Sequence, residues 1–220
     1  MKKCDATGRS TAVRCYVQQT EDISGPLPTN ERQLESRPPT FRRTTMSLFL
    51  VELAPSNTEK SAVTELLETV SQALSATGAE LIESQVTAGH ERVFVILEAT
   101  SQDGIFNSVK DAVGEIDVDG PHEVRLVGAE LEDIKNLKKS AEYLVEWDIP
   151  AEITMDQYLT RKKANAPKYA EVPEVQFLRT YVREDTAKCL CFYDAPDEDA
   201  VVRAREAVST PIDRMHKLDA

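Results

Sequence analysis

Two cysteines stand two residues apart in KCLCFYDAP, residues 188–196. In a β-strand such residues point to the same face, ~6.6–7 Å apart along the chain. Cys189 and Cys191 would then present both sulfurs to one side, where thiolates can bind a borderline or soft transition metal. The alternative interpretation is a pair of inert thiols in a packed core, a common environment for free cysteine.

The same alternation predicts the position of a carboxylate in EYLVEWD, residues 142–148. Tyr143, Val145 and Trp147 share one face, and these apolar side chains are expected to contact helices. Glu146 is then expected on the opposite, open face of the sheet. In the last strand His216 and Arg214 share a face, but alternation alone does not say whether that face is the open one or the one beneath the helices.

The other two strands of this half are assigned in the same way. In KCLCFYD, Leu190 and Phe192 are expected beneath the helices, which turns the cysteines toward the open face. In VQFLRTYV, Arg179 is poorly suited to a position beneath a helix, so its face is also taken as open. The residues expected on the open face from these two strands are Phe177, Arg179, Tyr181, Cys189, Cys191 and Tyr193.

The predicted site is therefore a polar cleft on the open face of the second half. Its predicted metal ligands are Glu146, Cys189, Cys191 and His216. Its predicted ligand-binding side chains, which would shape the cleft, are Arg179, Tyr181 and Tyr193.

Two other interpretations of these residues stay open. The first is a cofactor-independent enzyme of oxygenase or isomerase type, in which Arg179 orients an anionic substrate while Glu146 or His216 moves a proton. The second is a structural or interaction protein, in which Glu146 and Arg179 form a satisfied ion pair. No catalytic residue is singled out.

The elements that position these residues occur twice. From Met46 the apolar spacing predicts strand, helix, two strands, helix, strand, and the order βαββαβ then repeats from residue 142. The segment from Phe49 to Glu52, FLVE, aligns with YLVE in the second half. Thr154 and Gln157 stand at capping-box spacing, and Asp197 precedes another helical segment. The pattern indicates an internal duplication of an α+β unit.

A four-stranded sheet with helices on one side must bury its other face, and two such units can bury theirs against each other. We therefore predict tandem ferredoxin-like units that form an intrachain dimeric α+β barrel. The first unit is expected to turn apolar side chains and one acid to the open face. These are Leu50, Val93, Val95, Leu97 and Glu52.

The predicted domain organisation has four parts. Residues 1–45 lack helical and strand periodicity and are expected to be disordered, so that Met46 could be the true translation start. The first unit covers 46–131, a polar linker covers 132–141 and the second unit covers 142–220.

Charge and composition limit the partners. The net charge is −12 over 220 residues, and residues 1–45 are basic, which leaves the remainder strongly acidic. An acidic body repels nucleic acids and anionic membrane surfaces. No apolar run approaches the ~20 residues that cross a bilayer, and the first residues do not form a secretory signal. A cytoplasmic location with reduced cysteines is expected. Glycine-rich phosphate loops and serine-hydrolase motifs are missing from the sequence.

Several motifs of the second half occur together in one known family. The pieces YLVEWDIP, FLRTYV, KCLCFYDAPDED and IDR, within residues 142–218, resemble a widespread family of small bacterial ferredoxin-like proteins of mostly unknown function. One branch of that family is described as nickel-binding and dimeric. The resemblance implies a family dimer fused into one chain, with nickel or another divalent transition metal as the implied cofactor. Further pairing into a homodimer stays open.

Overall fold

The computed structural model describes residues 45–136 and 141–219. The predicted disordered extension therefore lies outside the described residues, apart from Thr45. Among the residues that are described, no helix has the length and apolar character needed to cross a membrane.

The first unit has the predicted order βαββαβ. Its elements are β1 (Ser47–Ala54), α1 (Lys60–Ala76), β2 (Glu80–Val86), β3 (Val93–Ala99), α2 (Ile105–Val113) and β4 (Asp117–Val127). The helix α1 buries Val63, Leu66, Val70 and Leu74, the i, i+3, i+4 stripe expected of an amphipathic helix. It thereby covers one face of its sheet.

The second unit repeats the order, with an added 3₁₀ turn after its first helix. A short helix, α3 (Leu131–Lys135), precedes it. Its own elements are β5 (Tyr143–Asp148), α4 (Met155–Asn165), the 3₁₀ helix Ala166–Glu171, β6 (Gln176–Arg183), β7 (Lys188–Asp194), α5 (Glu198–Ala207) and β8 (Arg214–Lys217). Both predicted helix starts are present. Thr154 and Gln157 form a reciprocal capping box, and the Asp197 side chain accepts a hydrogen bond from the backbone N–H of Ala200.

Two element boundaries differ from the prediction. The segment predicted as a linker begins with α3, whose Ile134 is buried. Strand β4 begins at Asp117, whereas the apolar spacing typical of a strand begins only at HEVRLV, residues 122–127. The apolar pattern missed residues 117–121, DVDGP, because Val118 stands alone there among aspartates, glycine and proline, whereas pairing with β1 makes the segment a strand.

The eight strands form one sheet in the order β2-β3-β1-β4-β6-β7-β5-β8. The two units join where β4 pairs with β6 in antiparallel orientation. The far edges meet at a bridge between Thr87 and Leu218, supported by hydrogen bonds from Ala88 N to Lys217 O and from Asp219 N to Val86 O. The sheet thus closes, and the predicted α+β barrel is confirmed.

Three apolar clusters follow from this topology. One lies between the first unit's sheet and its helices, and one lies in the same place in the second unit. The third lies inside the barrel and contains residues of both units. Its buried members include Leu50, Phe94, Ile96, Leu144, Tyr181, Leu190 and Phe192. The open faces of the two units are therefore buried against each other.

Candidate functional site: a barrel-end cleft and a dithiol pocket

Strand β5 determines which side chains of the second unit face the barrel interior. Tyr143, Val145 and Trp147 pack with the helices, as expected from their alternation. Glu146 therefore points into the barrel, where it is fully buried. On the neighbouring strand β8, Arg214 pairs with Glu146 in the register, so His216 faces the same way.

The prediction for the cysteines is wrong. In the register of β5 and β7, Cys191 lies opposite Val145 and Cys189 opposite Trp147. Because directly paired residues share a face, both thiols lie beneath the helices. Tyr193, paired with Tyr143, lies there too.

The residues expected beneath the helices in this strand lie on the other side. Leu190 and Phe192 face the barrel interior. The same correction applies to the first unit, where Val93, Val95 and Leu97 face the helices and Phe94 and Ile96 face inward. Both strands are apolar on both faces, so alternation carried no signal.

Strand β6 is interrupted by a register shift between Phe177 and Arg179. Arg179 and Tyr181 pair with Phe192 and Leu190 and lie in the barrel, as expected. Phe177 instead pairs with Tyr193, so its predicted open-face position is wrong. A β-bulge of this kind reverses the face of every residue on one side of it.

The predicted set of four metal ligands therefore does not assemble. Glu146 and His216 lie inside the barrel, whereas Cys189 and Cys191 lie across the sheet beneath the helices. Across residues 45–136 and 141–219, no three His, Cys, Asp or Glu side chains are grouped so that they could hold a metal ion. The side chains present do not fit a resident nickel ion of the predicted kind.

Glu146 is instead surrounded by hydrogen-bond donors. His216 Nε2 donates to its Oε1 at 2.7 Å, Arg214 Nε lies 3.1 Å from Oε1, and Lys188 Nζ lies 3.1 Å from Oε2. Burial favours the neutral acid, but these hydrogen bonds and the Lys188 charge outweigh it and hold the pKa of Glu146 well below its usual range. Glu146 is thus an ionised acceptor rather than a base near neutral pH.

Lys188 links this group to its counterpart in the first unit. Its Nζ donates to Glu52 Oε1 at 2.8 Å, and Glu52 also accepts from Arg92. Burial lowers the pKa of Lys188, but the bond to Glu52 and the charges of Glu52 and Glu146 raise it above its ordinary value. Glu52 and Glu146, one from each unit, are therefore joined through one shared ammonium group.

A cleft of about 540 Å³ opens at this end of the barrel. Both units contribute to its walls, which carry side chains of both charges. The lining residues are Glu52, Leu53, Ala54, Arg92, Asp117, Asp119, Asp148, Lys188 and Arg214. The cleft is thus a polar site between the units, but its residues are mostly not those predicted.

Arg179 does not reach this cleft. Its Nε and Nη2 donate to the two carboxylate oxygens of Glu83 at 3.1 and 2.6 Å, and its guanidinium lies 4.5 Å from the Phe192 ring centroid. Arg179 is 1% exposed, and Tyr181 beside it is also buried. The predicted ligand-binding role of Arg179 is not supported, because its hydrogen bonds go to a protein carboxylate.

The thiols line a separate cavity of about 30 Å³ between the second unit's sheet and its helices. The Sγ atoms of Cys189 and Cys191 are 3.8 Å apart. Arg205 Nη1 lies 3.3 Å from Cys191 Sγ, and the Thr180 hydroxyl donates to the same sulfur at 3.2 Å. The hydrogen bond from Cys189 and the charges of Lys162 and Arg205 lower the pKa of Cys191 well below its ordinary value, against the effect of burial.

Sequence reasoning missed Glu83, Lys188, Thr180 and Arg205. Arg205 carried the clearest signal, since it belongs to the predicted helix EDAVVRAREAV, one turn after the apolar Val201 and beside Ala204. That spacing places a guanidinium on the buried face of a helix. The other three depended on pairings between distant segments.

Comparisons with known proteins agree with this architecture. Residues 143–218 match the family model described as nickel responsive protein SCO4226-like, which confirms the predicted resemblance of the second half. SCO4226 from Streptomyces coelicolor A3(2) is similar over 36% of this chain and 98% of its own, with 20% identity and a TM-score of 0.32. No curated protein sequence matches the chain.

Two larger solved structures are similar over most of the described chain. TA0507, a protein assigned as a chlorite dismutase, aligns over 79% of this chain and 95% of its own with 12% identity and a TM-score of 0.50. A protein of Fusobacterium nucleatum subsp. nucleatum assigned as a monooxygenase aligns over 79% and 91%, with 9% identity and a TM-score of 0.42. At this identity, the similarity to TA0507 shows a shared fold.

Proposed function

We propose that this protein binds a small cationic ligand in the barrel-end cleft between its two units. The observation that carries the proposal is the cleft of about 540 Å³ above the Glu52–Lys188–Glu146 link. Its volume lies within the range of small-molecule sites, and its walls come from both copies of the duplicated unit.

Charge determines the ligand class. Four carboxylates line the cleft, on Glu52, Asp117, Asp119 and Asp148, against three cations, on Arg92, Lys188 and Arg214. Glu146 adds a further negative charge beneath Lys188. Asp117 and Asp119 are both exposed, and Asp119 also pairs with His122 Nε2 at 2.9 Å. A partly enclosed site with surplus negative charge attracts cations and repels anions.

Two kinds of cation share this chemistry, a hydrated divalent metal ion and a small organic amine. The family match, described as nickel responsive, supports Ni²⁺ as the first probe. Because no ready-made group of three ligands is present in the described residues, a metal ion would be held with much of its water shell. An amine would instead donate hydrogen bonds directly to the aspartates.

An enzymatic function on this scaffold has less support. The groups proposed for it are already paired, with Arg179 bonded to Glu83 and Glu146 bonded to His216, Arg214 and Lys188. The depressed pKa of Glu146 is also opposite to what a general base near neutral pH needs.

Titration calorimetry with NiCl₂, 1,4-diaminobutane and sodium succinate tests the proposal. We expect one or both cations to bind and succinate not to bind. In Asp117→Asn/Asp119→Asn, the affinity for the cation should fall at least about tenfold, the loss that 1.4 kcal/mol of attraction corresponds to. The two cation arms distinguish a metal ion from an amine.

The matched control is Asp103→Asn/Asp111→Asn, which removes two exposed carboxylates outside the cleft and should leave the affinity unchanged. Equal weakening in both double variants would indicate a general charge effect and contradict the proposed site. Binding of succinate but of neither cation would contradict the ligand class.

A further inference from the structure

Arg205 is a buried cation that lacks a carboxylate partner in the part of the chain that the structure describes. Its side chain is 2% exposed. Its hydrogen bonds go to Cys191 Sγ and the Tyr193 hydroxyl, both at 3.3 Å, and to the Pro211 carbonyl. A guanidinium remains charged in proteins, and a buried charge requires a counter-ion. Of these three acceptors, the Cys191 sulfur is the group that can supply a negative charge.

Tyr193 does not compete for that role. It is fully buried, and burial raises the pKa of its hydroxyl well above the ordinary value. The hydroxyl lies 2.9 Å from that of Tyr169, a neutral hydrogen bond between two phenols. The negative charge opposite Arg205 therefore belongs on sulfur.

Three donors converge on Cys191 Sγ. Arg205 Nη1 is at 3.3 Å, the Thr180 hydroxyl at 3.2 Å and the Cys189 thiol at 3.8 Å. Lys162 Nζ donates to Thr180 Oγ1 at 2.8 Å, which leaves the Thr180 proton directed to the sulfur. Such an environment stabilises a thiolate, the nucleophilic form of cysteine. The bond to Cys191 and burial raise the pKa of Cys189, which keeps Cys189 protonated.

The cavity beside the two sulfurs sets the size of the reaction partner. Its volume of about 30 Å³ is roughly twice what one water-sized sphere occupies. It is lined by both cysteines and also by Arg161 and Ala166, which are exposed, so it extends from the surface to the thiols. A molecule of two oxygen atoms fits this space, whereas a bulky disulfide or an aromatic reagent does not.

We propose that Cys191 and Cys189 form a peroxide-reactive dithiol site, in which hydrogen peroxide entering this cavity oxidises the pair to a disulfide. The site lies across the sheet from the barrel-end cleft and does not depend on the ligand proposed there. The proposal gives a function to the thiols, to Arg205 and to the basic residues of α4, and none of these residues lines the cleft.

The reaction balances as two successive displacements. The Cys191 thiolate attacks one peroxide oxygen, the O–O bond breaks, and Cys191 becomes a sulfenic acid. The departing hydroxide takes the proton of the Cys189 thiol and forms water. The Cys189 thiolate then attacks the Cys191 sulfur and expels hydroxide, which solvent protonates. Two thiols are oxidised to one disulfide, and one peroxide is reduced to two waters.

The position of the cysteines makes this disulfide easy to reduce. Residues two apart on a strand have Cα atoms ~6.6–7 Å apart, at the upper limit of disulfide geometry. The Sγ atoms, now 3.8 Å apart, must approach by nearly 2 Å to form the bond, for which the normal length is about 2.0 Å. Strained disulfides have higher, more oxidising potentials than relaxed ones.

The test uses the full chain with Cys4→Ser and Cys15→Ser, so that Cys189 and Cys191 are the cysteines that remain. Treatment with hydrogen peroxide should remove two hydrogen atoms from the intact mass, and peptide mapping should locate the disulfide at Cys189–Cys191. Dithiothreitol added in urea, where the cavity no longer excludes it, should restore the original mass. In the native state, dithionitrobenzoate and cumene hydroperoxide should react at least about tenfold more slowly than in urea, because the cavity excludes them.

Variants separate the roles of the two sulfurs. Cys189→Ser should stop at a Cys191 sulfenic acid, which adds one oxygen to the intact mass and which dimedone traps once urea opens the cavity, whereas Cys191→Ser should react with hydrogen peroxide at least about a hundredfold more slowly. Arg205→Met tests whether the guanidinium activates Cys191. If that variant does not fold, Lys162→Met tests activation by the second cation: it should slow oxidation while leaving the melting temperature close to that of the parent. No acidic residue is changed in any of these variants.

Two results would overturn the proposal. One is a native chain whose thiols react with hydrogen peroxide no faster than free cysteine at the same pH. The other is equal reactivity of Cys189→Ser and Cys191→Ser, which would contradict an activated Cys191 thiolate. Neither result would affect the cation-binding proposal, since calorimetry on the cleft does not involve the thiols.

Discussion

Arg179 of β6 and Glu83 of β2 form a two-point ion pair across the interior of the barrel, at 3.1 and 2.6 Å. The two residues belong to different units, and their strands are not neighbours in the sheet. Both side chains are buried. The pair therefore links the two βαββαβ units from within the apolar core.

This relationship predicts a large effect on stability. Arg179→Met leaves the Glu83 carboxylate buried and unpaired, so we expect the free energy of unfolding to fall by about 3–5 kcal/mol. Arg179→Met/Glu83→Met, which removes both charges, should recover much of that loss. Urea unfolding followed by circular dichroism measures both values.

The matched control has the same geometry at the surface. Arg125 donates two hydrogen bonds to Glu184, both at 2.9 Å, and both side chains are partly exposed. Arg125→Met should cost only about 0–1 kcal/mol. If the two arginine substitutions cost the same, burial of the Arg179–Glu83 pair is not what makes it important.

The depressed pKa of Glu146 predicts how the free energy of unfolding depends on pH. Because the pKa of its carboxyl is depressed in the folded state, it contributes stability that is present above its unfolded pKa of about 4.3. This contribution is lost as the pH falls through the folded-state pKa. Glu146→Gln should therefore be destabilised by about 3–5 kcal/mol at pH 7, and the difference from the parent should shrink below pH ~4.3.

Unfolding free energies measured from pH 7 to pH 3 give this difference directly. Glu65→Gln, on the exposed face of α1, is the control and should give a small difference at every pH. A Glu146→Gln deficit that stays constant down to pH 3 would show that the carboxylate charge is not the source of its effect.

Gly120 is required by the irregular pairing of β1 with β4. Its φ is +105°, and a Cβ there would lie 2.4 Å from the Leu50 carbonyl oxygen. Gly104 also has a positive φ, +77°, but a Cβ at that position would meet open space. Gly104→Ala should thus cost about 1–2 kcal/mol from backbone conformation alone, and Gly120→Ala should cost clearly more because backbone must move. Thermal melts of the two variants compare them, and equal melting temperatures would contradict the steric argument.

The capping box of α4 supports the helix that covers the thiols. Thr154→Ala removes the acceptor for the Gln157 backbone N–H, 3.4 Å away, and should cost about 0.5–2 kcal/mol. Thr64→Ala, at an exposed position within α1, removes a hydroxyl without removing a cap and should cost less. Denaturant midpoints measure both. A Thr154→Ala variant as stable as the parent would show that the Gln157 bond to the Thr154 N–H is sufficient.

Local sequence patterns were enough to predict the helices and strands and their order βαββαβ in each unit. Helical spacing in α1 and the cap residues Thr154 and Asp197 specify helices through contacts within a few residues. The face of β5 was also predictable, because Glu146 interrupts an otherwise apolar strand and marks one side. An alternating pattern carries information only where the two faces differ in polarity.

Strand pairing and barrel closure set the features that local sequence did not specify. Both faces of β7 are apolar or thiol-bearing, so the positions of Cys189 and Cys191 followed from their pairing with Trp147 and Val145 rather than from their own neighbours. The bulge before Arg179 depends likewise on its partner strand. Pairing between segments distant in sequence set which charges meet, since strand register and barrel closure are properties of the whole sheet.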